Sequence, residues 1–319
     1  MMVQAVHDLP QLYQKPSASA LLDALALLSL QPSAFVMRNG SSQSQIAEQG
    51  IPRYLTSIVA SSLAWIDDDD VKESIWSAAS TRLSERSGRN AMPDLTRTFA
   101  VGDGLSFHLR EPSLTGDNLG LKTWTSSLLL SQRLPDLRKY IENGCPSVLE
   151  LGSGTGLVGM AAACAWNVSV LLTDLPEIVP NLQHNLERNK DMIEENHGSV
   201  AARRLDWDDE ADLPRDDQEK FMVILAADPI YSNDHPQMLA RTVRRWIHPD
   251  AGARFIVELP LRDRYDEERQ SLRDNLRKEG FDMIAEGHDV GHDDWHGRDG
   301  LLAEVHCWWS VWQLVSKPT

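Results

Sequence analysis

No apolar run in this chain comes near the roughly 20 residues that a helix needs to cross a bilayer, so no membrane-spanning helix is expected. The one early apolar stretch, Leu21–Leu30, is broken by Asp23 and follows a polar leader. It reads as a helix face and not as a signal peptide, so an intracellular, cytoplasmic protein is expected. Cysteine is scarce. Cys145, Cys164 and Cys307 are odd in number, far apart and set among apolar or aromatic neighbours, which argues against a disulfide or zinc framework and predicts reduced, buried thiols. Basic residues are also short: 31 Lys and Arg against 47 Asp and Glu leave a formal net charge of -16. The average field therefore repels a phosphate backbone and favours a basic protein surface as partner. There is no internal repeat.

What is present is an ordinary globular composition, 42% hydrophobic and 24% charged over 319 residues. That is enough for an α/β domain of about 200 residues and an appendage. Residues 1–92 lack strand alternation and carry helical segments at Ala18–Leu30 and Ile51–Trp65, so a helical extension is expected ahead of a main domain over 93–319. Between the two helices, Arg38–Gly50 is rich in Ser, Gln and Asn and is expected to be a mobile loop. The acidic run Asp67–Asp70 stands just before Val71–Trp76, where carboxylates favour a helix start, and it is read as that start and not as a metal site.

From Arg97 the texture changes. Thr98–Val101 and Leu105–Leu109 flank Gly102-Asp103-Gly104, a hairpin signal. Strands are then expected at Ser147–Leu151, Val168–Thr173, Phe221–Ala227 and Phe255–Leu259, with helical stretches between, and Ala201–Arg204 as a further short run. Such alternation predicts an α/β fold with a mostly parallel, Rossmann-like sheet covered by helices on both faces. Phe281–Ala285 and Glu304–Leu314 are joined by a polar stretch without a helix, so they are expected to finish the sheet antiparallel.

The most specific local signal is Ser147–Gly156, strand followed by Gly152-Ser153-Gly154-Thr155-Gly156 and then the helical Leu157–Ala162. Glycines there let a small molecule lie against the backbone at the carboxyl edge of the sheet. Asp174 ends the next strand, where a carboxylate can take both hydroxyls of a ribose, and Leu175 follows it. A nicotinamide dinucleotide fits less well, because Leu157 stands where the third glycine of its fingerprint belongs. Glu150 would sit badly beside a pyrophosphate but suits the ammonium of a methionine-type cofactor. Leu205-Asp206-Trp207 would place a short acid and a flat indole beside an adenine, unless Trp207 is only a large half-buried residue. The strand ending at Ala227 runs into Asp228-Pro229-Ile230-Tyr231, a carboxylate and a phenol at the same edge, or simply a turn.

Together, Glu150–Gly156, Asp174, Leu205-Asp206-Trp207 and the D-x-x-Y element Asp228–Tyr231 resemble the methyltransferase-16 family of protein-lysine N-methyltransferases. Arg110–Thr115 and Asn118–Trp124 look like the segment that in this family reaches the cofactor from the amino-terminal side, and Trp124 matches its tryptophan. Tyr54–Ile58 and Ser84–Arg89 look most like the fungal branch that methylates translation elongation factors, elongation factor 2 in particular. The resemblance covers most of the chain from about Ile51 onward. It implies a seven-stranded class I methyltransferase sheet and S-adenosylmethionine as cofactor, with S-adenosylhomocysteine as product. The cofactor would be held by Trp124, Glu150, Gly152, Ser153, Gly154, Thr155, Gly156, Asp174, Leu175, Asp206, Trp207 and Ala227.

The same resemblance implies catalytic roles for Asp228 and Tyr231, a protein substrate, and neither a nucleic-acid nor a membrane partner. A neutral lysine amine would attack the sulfonium methyl in line. Because a carboxylate favours the ammonium form, Asp228 is expected to bind and orient the lysine or the cofactor, with proton loss to water, and Tyr231 to line the lysine channel. His288, His292, Asp293, Asp294 and His296 invite a metal reading, but the segment has glycines and no helical face and is read as a solvated connection. The aromatic run Val305–Trp312 is read as core and sheet surface, not a base-stacking platform. Two alternatives stay open: a methyltransferase with a small-molecule or nucleic-acid acceptor, and a catalytically silent binding module.

Overall fold

The computed structural model describes residues 6–29, 50–86, 94–113, 119–141, 144, 146–262, 266–296 and 302–315. The expected loop at 38–49, Ser87–Arg89, Leu114–Asn118 and Cys145 lie outside these described residues. The chain divides into two compact units, Met1–Leu95 with Pro112–Asp117, and Thr96–Glu111 with Asn118–Thr319.

The first unit is helical. Its helices are α1 (Ala18–Leu27), α2 (Ile51–Val59) and α3 (Asp69–Ser84). Ser17 caps α1 by accepting from Ala20 N, and Asp68 caps α3 by accepting from Asp70 N and Val71 N at 3.0 and 3.2 Å, so the acidic run is a helix start. Leu21, Leu25, Leu55, Ile58 and Ile75 form its core. Helix α2 stops well short of the expected Trp65. Leu63 turns the chain at φ 48° and is fully buried, while the Trp65 and Trp76 indoles donate to the carbonyls of Pro16 and Ser61. Burying Leu63 and satisfying both indoles outweighs one more helical turn.

The second unit opens with the expected hairpin, β1 (Leu95–Gly102) and β2 (Leu105–Glu111). Its turn takes three successive positive φ values, 103°, 49° and 78°, which Gly-Asp-Gly tolerates. There follow α4 (Thr125–Leu137), β3 (Val148–Leu151), α5 (Leu157–Trp166), β4 (Ser169–Asp174), α6 (Val179–Arg188), α7 (Lys190–Glu195), β5 (Ser199–Arg204), β6 (Val223–Ala227), α8 (His235–Trp246), β7 (Arg254–Pro260), α9 (Asp266–Lys278), β8 (Phe281–His296) and β9 (Leu302–Leu314). The main sheet has seven strands in the order β5-β4-β3-β6-β7-β9-β8. The first five run parallel, and β9 is antiparallel to both neighbours, as the closing pair was expected to be. The seven strands and their mostly parallel order are as expected. One face buries Leu149, Ile224, Phe255 and Val257 against α8 and α9, and α4 and α5 pack the other. Because β3 and β6 are buried at every position, they read as continuous apolar runs without alternation.

The stretch with His288 and His292 is not a solvated connection. It belongs to β8, which pairs with β9 from Phe281 to His296. Glycines at 287 and 291 concealed the strand. A Cβ at Gly287 would come within 2.7 Å of the Trp309 ring, and one at Gly291 within 2.5 Å of Thr125, so both mark close packing and not a loop. Cys164 and Cys307 are buried free thiols, and burial pushes the Cys164 thiol up to about 11. No helix among the described residues is long and apolar enough to cross a membrane.

Candidate active site

The parallel strands end at one edge, and a cavity of about 400 Å³ opens there. Leaving β3, the chain adopts φ 65° at Gly152 and 55° at Gly154, and a Cβ on Gly154 would stand 2.9 Å from the Gly120 carbonyl oxygen. Ser153 ties this turn to β4: its N–H donates to Thr173 O and its Oγ accepts from Thr173 N, both at 3.0 Å. Asp174, at the end of β4, braces the turn as well, accepting from Gly154 N at 2.7 Å and from Leu175 N at 2.8 Å. Burial nevertheless pushes its carboxyl up to about 6.

On the amino-terminal side, Glu111 accepts from Thr123 N at 2.9 Å and pairs with Arg97 at 3.1 Å, both side chains being buried. Thr123 and Thr155 share a hydroxyl bond of 2.8 Å, which holds Trp124 beside the glycine turn. The cations of Lys122 and Arg262 lie 4.5 and 5.2 Å from the centroid of the Trp124 ring. At the end of β5, Asp206 N donates to Asp212 and the Asp206 carboxylate accepts from Asp208 N, a local knot that presents Trp207 to the cavity. A Cβ on Gly152 would reach to 3.6 Å from the Trp207 indole, so glycine there keeps the space between turn and ring open.

At the end of β6, Asp228 takes φ 51°, a left-handed conformation that costs a non-glycine residue of order 1 kcal/mol. Its N–H donates to Glu258 O at 2.9 Å, and its carboxylate, 5% exposed, accepts from Arg262 Nη2 at 3.1 Å. Burial pushes the Asp228 carboxyl up to about 6, against the opposing pull of Arg262 and Lys122. Tyr231 is 50% exposed at the cavity wall, its ring edge-on to His235 at 4.1 Å between centroids. Its phenol is raised by burial, and the His235 imidazole is lowered by burial.

Of the residues expected at the site, Trp124, Gly152, Ser153, Gly154, Thr155, Asp174, Leu175, Asp206, Trp207, Ala227, Asp228 and Tyr231 all line this one cavity. Glu150 and Gly156 do not. Glu150 is 2% exposed and lies under the turn, where its Oε2 accepts from Gly159 N at 2.9 Å, so its carboxyl braces the first turn of α5 instead of facing a cofactor ammonium. Gly156 faces inward, where a Cβ would meet Leu182 at 2.7 Å. Sequence reasoning missed Lys122, His235 and Arg262, which also line the cavity. Arg262 had a usable signal, since it closely follows β7 at the same carboxyl edge, and His235 opens α8 just after Tyr231. Among the described residues, no three His, Cys, Asp or Glu side chains are gathered to hold a metal ion.

Residues 106–274 match a family model described as lysine methyltransferase. The protein-lysine N-methyltransferase rrg1 of Schizosaccharomyces pombe is 34% identical over 315 residues, 96% of this chain and 97% of its own. The protein-lysine N-methyltransferase EFM2 of Saccharomyces cerevisiae is 37% identical over 260 residues, 75% of this chain and 60% of its own. The mouse protein-lysine methyltransferase METTL21E is 33% identical over 180 residues, 55% of this chain and 68% of its own.

Proposed function

We propose, for a chain that belongs to the lysine methyltransferase family, that the acceptor is a lysine on a translation elongation factor, elongation factor 2 first among them, and that Asp228 and Tyr231 handle that lysine. S-adenosylmethionine, the methyl donor of this class, supplies when bound an electrophilic methyl on a sulfonium. The cavity's own residues fit that group. Asp174 keeps a half-buried carboxylate where ribose hydroxyls would be taken, Trp207 and Asp206 would flank the adenine, and the turn Gly152–Thr155 with Trp124 would hold the amino-acid end.

The observation that carries the reading is an ordering along the sheet. The turn of β3 lies between Asp174, which ends β4 on one side, and Asp228, which follows β6 on the other. Donor and acceptor would then share one cavity from opposite sides. Tyr231 at the wall would guide the lysine stem, and Asp228 would orient the amine for attack along the axis of the bond that breaks. A carboxylate by itself favours the ammonium form, so Asp228 is not assigned the lysine proton, which leaves to water before attack. Residues 93–319 would form the methyltransferase domain, with 1–92 its helical extension.

The test is transfer of radiolabelled methyl from S-adenosylmethionine into a fungal lysate lacking this protein, with and without nuclease, resolved on a gel. One nuclease-resistant band of elongation-factor size carrying methyl-lysine is expected. Label confined to nuclease-sensitive or small-molecule fractions would reject the acceptor. The roles of Asp228 and Tyr231 fall if D228A and Y231F remain folded and turn over as fast as the parent.

A further inference from the structure

An unopposed carboxylate at the acceptor end poses a chemical problem. A free lysine amine has a pKa of about 10.4, and a carboxylate beside it raises that value further, deepening the ammonium trap that prevents attack. In this structure the carboxylate is not unopposed. Arg262 Nη2 donates to Asp228 Oδ2 at 3.1 Å, and Lys122 acts on the same carboxylate through space. Both cations lie over the face of Trp124, the ring that would otherwise attract an incoming ammonium.

The remaining charged groups nearby do not restore a negative site. Asp174 and Asp206 line the cavity from the ends of β4 and β5, on the far side of β3 in the sheet, and the through-space push of Asp174 and Glu177 falls on the Tyr231 phenol and not on Asp228. Asp289 is bound in a two-point ion pair by Arg133. Glu258 on β7 is fully buried, and that burial holds its carboxyl well above its ordinary value, which opposes a negative charge there. Cys307 on β9 is likewise a buried thiol raised by burial, and His235 and Tyr231 are neutral at pH 7.

We propose that Arg262 is a positioning residue that neutralises Asp228, so that the acceptor end of the cavity receives the lysine as a neutral amine. This rests on the acceptor being a lysine amine, not on which protein carries it. Arg262 leaves Asp228 able to orient an N–H while cancelling its preference for a charged partner. The guanidinium suits the task because it stays protonated at any working pH and its side chain, 40% exposed, can shift as the lysine enters.

The test uses n-butylamine, the reacting end of lysine, titrated calorimetrically from pH 7 to pH 10.5 into the full-length protein saturated with S-adenosylhomocysteine. For the parent protein, apparent affinity is expected to rise with pH in step with the neutral amine. In R262Q the ammonium should gain, with binding near neutral pH strengthened about tenfold, one pH unit's worth, and the rise with pH flattened. R262K should restore the parent profile below about pH 9, where a lysine is still protonated, which a merely structural role for the guanidinium would not require. Superimposable pH profiles for parent and R262Q, both folded by thermal melting, would overturn the proposal, as would no butylamine binding at any pH. A protein that passes this titration yet fails to label an elongation factor loses the acceptor proposed above and keeps this assignment.

Discussion

Glu150 shows how much a single side chain's meaning depends on which way it points. The residue stands directly before the glycine turn, where a carboxylate suits a cofactor ammonium, yet it lies beneath the turn and accepts from Gly159 N. Burial pushes its carboxyl from 4.5 up to about 8. Between those values the unfolded chain has released a proton that the native protein keeps. Glu150 therefore contributes fully below about pH 4.5, and its contribution is lost as the pH rises toward about 8. E150Q, which retains an acceptor for Gly159 and cannot ionise, should lose stability less steeply over that window. The parent's excess slope should reach up to about 1.4 kcal/mol per pH unit. Urea unfolding at constant ionic strength from pH 5 to pH 8 measures this, and parallel slopes for the two proteins would show that Glu150 ionises normally. That Asp174 and Asp228 would stand at the cavity, by contrast, was legible in the sequence, because each directly follows an apolar strand core and a parallel sheet presents its carboxyl edge to ligands.

At the scale of elements, the seat of α5 on β3 and β4 decides whether the turn can form. Gly159 lies in the first turn of α5, and a Cβ there would meet Glu150 Oε2 and Leu172 Cγ, each at 2.6 Å. Two effects compete in G159A. Alanine gains about 1 kcal/mol of helix propensity, while overpacking against a fully buried leucine and carboxyl costs about 1–3 kcal/mol. The contact should win, lowering stability by up to about 2 kcal/mol in denaturant unfolding and weakening S-adenosylmethionine binding with it. A midpoint at or above the parent's would mean that α5 moves outward freely. The edge strand β8 makes a related point about legibility. Its exposed positions Asp282, Ile284, Glu286 and His288 alternate with half-buried Met283, Ala285 and Gly287, which is strand periodicity, and Asp282 and Glu286 also blunt an open sheet edge with charge. Glycine and histidine made the second half of that pattern look like a loop, and only pairing with β9 shows otherwise.

At the scale of the whole molecule, the net charge of -16 should steer association with a basic acceptor surface. Raising ionic strength from about 0.05 to about 0.5 M shortens the screening length well below 10 Å, so kcat/KM for the labelled protein acceptor should fall about three- to tenfold while butylamine binding is little changed. A salt-independent kcat/KM would indicate that docking does not use the average field. The alternation of apolar strands with helices, the glycine turn and the two acids at strand ends were sufficient to determine the sheet class and most of the cavity wall, because a parallel strand buried on both faces must be apolar and must end where a ligand can be reached. Side-chain direction is different. That Glu150 points down, that Arg262 crosses from β7 to neutralise Asp228, and that the stretch 288–296 is sheet were decided by packing between segments distant in sequence, where register and burial, and not local residue type, select one arrangement.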